Sequence, residues 1–121
     1  MAQKLFAIGS LFGFLSVALG AFGAHALKAK LTPYLLDIFE TGVKYQFYHA
    51  LAILAVALAV GQWKISPTPA YFFIAGIIIF SGSLFLLAFT GIKTFGAITP
   101  IGGVMFLIGW SLLAYQTFKN I

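Results

Sequence analysis

Two histidines are the only side chains of this chain that titrate near neutral pH, since it has no cysteine. His25 stands three residues before Lys28 and His49 five residues after Lys44. At 1.5 Å per residue those spacings are depths of ~5 and ~8 Å below the charged edge of a helix pair. Two adjacent antiparallel helices would then carry both imidazoles in one layer. Tyr45, Gln46 and Tyr48 flank His49, and Tyr45 is one helical turn from it, close enough to stack. Asp37, Glu40, Lys93, Thr94 and Thr99 fall on the same side.

Such a layer has four chemical uses. The imidazoles can bond carbonyls or tyrosine hydroxyls and pin the first helix to the second, because polar groups turned inward must find partners. His25, His49, Tyr45, Gln46, Glu40 and Thr99 can line a pocket for a small molecule, a quinone or a lipid headgroup. Two histidines on facing helices suffice for a haem, whereas zinc would need one or two further ligands, with Glu40 the only plausible nearby donor. Last, the pair can relay protons within a transporter. The first use is the expected one, so no catalytic residue, no metal and no cofactor is assigned.

No catalytic motif is present: the chain lacks G-x-S-x-G, H-E-x-x-H, a P-loop and G-x-G-x-x-G. Proton-coupled carriers commonly bury an ionisable side chain inside the membrane, and small four-helix multidrug exporters carry a glutamate in their first span. The first apolar run here has none. The expectation is a protein that is not an enzyme.

The elements that must position these residues are membrane helices. The chain has 121 residues, 62% of them hydrophobic, with seven lysines, two acids and no arginine. Four uncharged runs cover Leu5–Leu27 (23 residues), Tyr45–Trp63 (19), Ile65–Ile92 (28) and Thr94–Phe118 (25). About 20 apolar residues cross a ~30 Å hydrocarbon core, so each run is long enough. The lysines are scattered between the runs as interfacial flanks, not clustered as a phosphate-binding surface, which excludes a nucleic-acid partner. Membrane lipids are the expected neighbours. Lys4, the first run and Ala24-His25-Ala26 imitate a signal peptide with its cleavage site. That run exceeds the usual apolar region of ~7–15 residues, so it reads as a retained first span.

Three Thr-Pro pairs mark helix starts, at Thr32-Pro33, Thr68-Pro69 and Thr99-Pro100. Spans are expected at about 5–27, 45–63, 70–92 and 96–118, the main part of the last opening at Pro100. Residues 33–44 (PYLLDIFETGVK) are too polar to span. Leu35, Ile38, Phe39 and Val43 share one helical face and Asp37, Glu40, Thr41 and Lys44 the other, the pattern of an interfacial amphipathic helix. Gly9, Gly13, Ser16, Gly20 and Gly23 recur at intervals of 4, 3, 4 and 3, and Gly102 and Gly109 make a second seam. Small residues mark helix contacts in lipid and suit either a bundle or homo-oligomer contacts. Ser81-Gly82-Ser83 interrupts the third span midway.

Four spans leave both termini on one side, with Lys4, Lys64 and Lys119. The other side holds Lys28, Lys30, Lys44 and Lys93. Four lysines against three places the termini outside, since acids hardly count in this rule.

Four ordered blocks carry a resemblance: GAFGAHALK (20–28), ETGVKYQFYHALA (40–52), FSGSLFLLAFTG (80–91) and GAITPIGGVMFLIGW (96–110). In these the chain resembles the YgdD/YwdK-type family, small bacterial inner-membrane proteins of unknown function with relatives in animal mitochondria. The resemblance implies a cell-membrane protein of about four spans and implies no activity. It points to His25, Tyr45, Gln46, His49, Ser81, Gly82, Thr99, Pro100 and Gly103. The combined expectation is a single all-α domain over 1–121, a four-transmembrane-helix bundle with an amphipathic segment between spans 1 and 2. Its expected role is an accessory or scaffold protein, with a ligand or lipid-headgroup pocket near the histidines as a refinement. A small-solute or lipid transporter is the alternative, and a haem or metal protein the third.

Overall fold

The computed structural model describes all residues, 1–121, and contains no strand. Four long helices, each apolar enough to cross a membrane, make up the chain: α1 (Ala2–His25), α2 (Pro33–Gln62), α3 (Thr68–Thr90) and α4 (Thr99–Lys119). Short 3-10 turns at Leu27–Ala29 and Lys93–Ala97 join α1 to α2 and α3 to α4.

Helix starts follow from proline, but only one follows from a threonine cap. Thr32 is extended, and its hydroxyl accepts from the Leu35 N–H at 3.2 Å. At the other two starts proline still occupies the first turn, where its missing N–H costs nothing. The threonine hydroxyls there bond elsewhere, Thr68 to Ser66 and Thr99 to Ser83. Gly91 ends α3 in the left-handed conformation (φ 70°), which a glycine adopts without a Cβ clash.

The amphipathic residues 33–44 are not a separate helix. They form the first turns of α2, which runs unbroken for 30 residues. Phe39 and Gly42 are buried on its inner face, while Asp37, Glu40 and Lys44 are exposed.

The helices pack as a row, α1 on α2, α2 on α3 and α3 on α4. The most deeply buried large side chains, Phe39, Ile53, Val56 and Phe73, accordingly belong to the two central helices. On α1 the buried small residues are Gly9, Ser16 and Gly23, seven apart, which is the spacing of a left-handed helix pair. Gly13, expected in the same seam, has nothing within 4 Å of where its Cβ would stand. The seam is therefore narrower than the 4-3-4-3 pattern suggests, because a pair of helices needs only one stripe per partner.

Elsewhere a glycine on one helix receives a phenylalanine ring from the next. Gly23 takes Phe39, Gly42 takes Phe85, Gly76 takes Phe106 and Gly109 takes Phe73. The closest approach is between backbones. A Cβ at Gly102 would lie 2.4 Å from the Phe80 nitrogen and 2.7 Å from its Cα.

Phe80 belongs to a π-helical turn, Ile77–Ser81, in the middle of α3. Such a turn inserts one extra residue and redirects the side chains around it. It ends at Ser81, which is fully buried and donates to the Gly42 carbonyl of α2 at 2.7 Å. The same turn thus meets α2 on one side and α4 on the other.

Gly102→Ala should lower stability by about 1–3 kcal/mol, because neither backbone can yield to the added methyl. Gly13→Ala should be neutral or stabilise by up to ~1 kcal/mol through helix propensity alone. Thermal melts of the two variants in detergent test this, and equal effects would contradict the assigned packing.

Candidate functional site

His49 is the one titratable side chain among the buried residues, 5% exposed on α2. Both its ring nitrogens are engaged. Nδ1 lies 2.7 Å from the Tyr45 carbonyl oxygen, and the Trp110 indole N–H donates to Nε2 at 3.0 Å. A carbonyl can only accept and an indole N–H can only donate, so the ring is neutral with its proton on Nδ1. The tautomer follows from the partners.

Four aromatic rings surround it, and a fifth joins them at one remove. Phe106 stacks on the imidazole at 3.6 Å with 9° between planes. Phe73, Trp110 and Tyr45 follow at 5.4, 5.9 and 6.3 Å, and Phe80 closes the set against Tyr45 at 4.7 Å. Tyr45 and His49 come from α2, Phe73 and Phe80 from α3, Phe106 and Trp110 from α4. The glycine seats explain the arrangement: Gly76 admits Phe106 and Gly109 admits Phe73, which brings both rings under the imidazole. A groove of ≈ 440 Å³ opens above this cluster between α2 and α4, its other wall formed by Pro100, Gly103, Val104 and Leu107.

The expected layer of two histidines does not form. His25 is exposed at the end of α1, and the partner of His49 is α4, not α1. Antiparallel register explains the difference. Gly23 seats Phe39, Gly20 meets Val43, and the Gln46 amide donates to the Phe12 carbonyl at 3.1 Å. His49 is therefore level with the region of Gly9 and Phe12, and His25 lies about 20 Å further along α1. Depths counted from Lys28 and Lys44 assumed that both lysines mark the same boundary. Lys44 instead lies inside the long α2, level with Gly20.

The remaining candidates divide in the same way. Tyr45 lines the groove with His49. Gln46, 4% exposed and one turn before His49, turns toward α1 and ties α2 to it. Glu40 is exposed, away from both. Thr99 shares a 2.6 Å bond with Ser83, whose own proton goes to the Phe80 carbonyl at 2.8 Å, so Thr99 is the donor. No three His, Cys, Asp or Glu side chains come together as a metal would require, and histidines this far apart cannot share a haem iron.

Residue-type reasoning missed Trp110, Phe106 and Phe73. Trp110 carried a usable signal, since an indole N–H inside a span needs an acceptor and few side chains in these spans supply one.

Removing either partner of the His49–Trp110 bond leaves the other unsatisfied, at a cost of about 1–3 kcal/mol. His49→Phe and Trp110→Phe should each destabilise, and the double variant should lose clearly less than their sum. His25→Ala should stay within about 0.5 kcal/mol of wild type. A double-mutant cycle by thermal melting in detergent measures the coupling, and strict additivity would remove the bond from the account.

The chain matches the family model described as a protein of unknown function (DUF423) over residues 19–103. It is 48% identical to a UPF0382 membrane protein of Staphylococcus aureus over 119 residues, covering 97% of this chain and 98% of that one. A UPF0382 membrane protein of Haemophilus influenzae is 46% identical over 121 residues, with 99% and 98% covered. The UPF0382 membrane protein YwdK of Bacillus subtilis is 43% identical over 125 residues, with 98% and 100% covered. No solved structure matches. Four membrane-length helices and likeness along nearly the full chain agree, and the protein belongs to this DUF423/UPF0382 family of membrane proteins of unknown function.

Proposed function

We propose that this is a non-enzymatic membrane protein, an accessory or scaffold subunit that works by presenting the open side of α4 to another membrane protein or to a second copy of itself. One observation carries the reading: the only titratable group packed inside the bundle has both ring nitrogens committed to the protein's own groups. An imidazole so held is a structural fastener between α2 and α4, with no lone pair or proton free for a ligand. The mid-span serines are committed too, Ser81 to Gly42 and Ser83 to Phe80, which argues against a polar path for transport by one copy.

The open side of α4 is the counterpart. Val104, Leu107 and Trp110 are 45–67% exposed along the flank that borders the groove. In lipid, helices associate by close packing, and Gly103 beside that flank permits a close approach. A photoreactive residue replacing Leu107, irradiated in native membranes, should yield one discrete heavier species containing protein. Adducts with lipid alone would overturn the scaffold reading. So would solute flux through proteoliposomes of the purified chain, or a Soret band in the purified protein.

The protein sits in the cell (inner) membrane with the side of Lys28, Lys30, Lys44 and Lys93 facing the cytoplasm and both termini outside, following the lysine count. The chain has no cysteine, so introduced ones report alone. Asn120→Cys should react with a membrane-impermeant maleimide in intact cells, and Lys93→Cys only after permeabilisation. The opposite pattern reverses the orientation.

A further inference from the structure

We propose that Lys44 and Tyr48 hold the phosphate of an anionic phospholipid, whose acyl chain lies in the cleft between α1 and α2. This site is on the face of α2 away from the His49 groove and does not depend on the scaffold reading.

The observation is a charge below the membrane edge. Gly20 of α1 meets Val43 of α2, the Cβ position lying 3.5 Å from the valine Cγ1. Lys44 is therefore level with Gly20, five residues short of the end of α1 at His25, or about 7 Å below it. On either side of this level Phe22 of α1 and Phe47 of α2 are exposed, 48% and 37%, as suits side chains that face lipid. An ammonium ion there must reach the interface or find an anion.

The chain offers it little. Its only acids are Asp37 and Glu40, and no ion pair forms. Glu40, one turn nearer the headgroups, is the sole carboxylate on that face, and it remains exposed. The other cations of this side, Lys28, Lys30 and Lys93, lie in the connections between helices.

Direction makes the site. Helical side chains lean toward the N-terminus of their helix, and the N-terminus of α2 lies on the lysine-rich side. Lys44 and Tyr48, four apart, therefore both reach up toward the headgroup layer from one face. Tyr48 is 52% exposed, its ring edge-on to Tyr45 at 5.6 Å and its hydroxyl without a partner within the protein, so two unspent donors line one cleft about one helical turn apart. Beside them is a cleft of ≈ 250 Å³ lined by Ser16, Val17, Val43, Lys44, Phe47 and Tyr48. The Ser16 hydroxyl is already bonded to the Phe12 carbonyl, which leaves the cleft apolar in character.

Two donors above an apolar slot match a phosphodiester with a hydrocarbon chain attached. A zwitterionic headgroup would set its own ammonium among the lysines of this side, and free phosphate would leave the slot unfilled. An anionic phospholipid satisfies both parts.

The test is a thermal-melt titration of the whole protein in neutral detergent with phosphatidylglycerol, phosphatidylcholine or inorganic phosphate. Phosphatidylglycerol should raise the melting midpoint at lower concentration than phosphatidylcholine, and phosphate alone should not. Lys44→Gln should raise the half-effective phosphatidylglycerol concentration about fivefold, the expected share of one basic residue at a membrane surface. Val17→Phe, at a position 64% exposed, should fill the slot and weaken the effect without unfolding the protein. Lys93→Gln should leave it unchanged. The proposal fails if Lys44→Gln or Val17→Phe keeps the full preference, if Lys93→Gln loses as much, or if phosphate alone reproduces the shift.

Discussion

The structure depends on the π-helical turn of α3, which packs its backbone on α4 and hydrogen-bonds a main-chain carbonyl of α2. Phe80 presses its main chain against Gly102 of α4, and the next residue, Ser81, bonds the Gly42 carbonyl of α2. Inside a bilayer there is no hydrophobic gain in bringing apolar helices together, because lipid is as apolar as they are. Dispersion contact and a few hydrogen bonds must do it, and both need short distances. Glycine at positions 42 and 102 supplies those distances, and the π turn brings Phe80 and Ser81 to the two partners at once.

From that node the aromatic cluster follows. With α3 and α4 held this close, Phe106 enters the seat at Gly76 and Phe73 the seat at Gly109, and His49 is left lying on the Phe106 ring. The imidazole then finds the Trp110 N–H on one side and its own helix carbonyl on the other. A buried polar group is tolerable here only because it is fully satisfied. α1 stands apart from this arrangement. It leans on α2 through Gly9, Ser16 and Gly23, and its one side-chain hydrogen bond to α2 comes from Gln46.

Much of this was legible beforehand, and the errors have physical causes. The membrane class and the four helices follow from uncharged runs that match the thickness of a bilayer. Proline gave the helix starts, since its chemistry is local. The His25–His49 layer failed because depth was measured from charges. A lysine has a long arm and tolerates a range of depths, so Lys44 marked the boundary badly, while the seating of Phe39 on Gly23 sets the true register. Gly13 was included in the α1 seam because periodicity cannot tell a face that meets a helix from one that meets lipid. The π turn left almost no signal beyond the small residues at 81–83, since a one-residue insertion does not alter an apolar run.

By itself the sequence determined the solvent of this protein, the number of its membrane-length helices and the prolines that open three of them. These properties depend on transfer free energies and chain geometry, which act residue by residue. Only the tertiary structure decided that His49 belongs with Trp110 and not with His25, that Gln46 turns toward α1, and that Lys44 stands level with Gly20 and not with the end of α1. Each of these depends on the register between helices. Register is set by which glycine receives which ring, a property of pairs of distant residues that no single stretch of sequence contains.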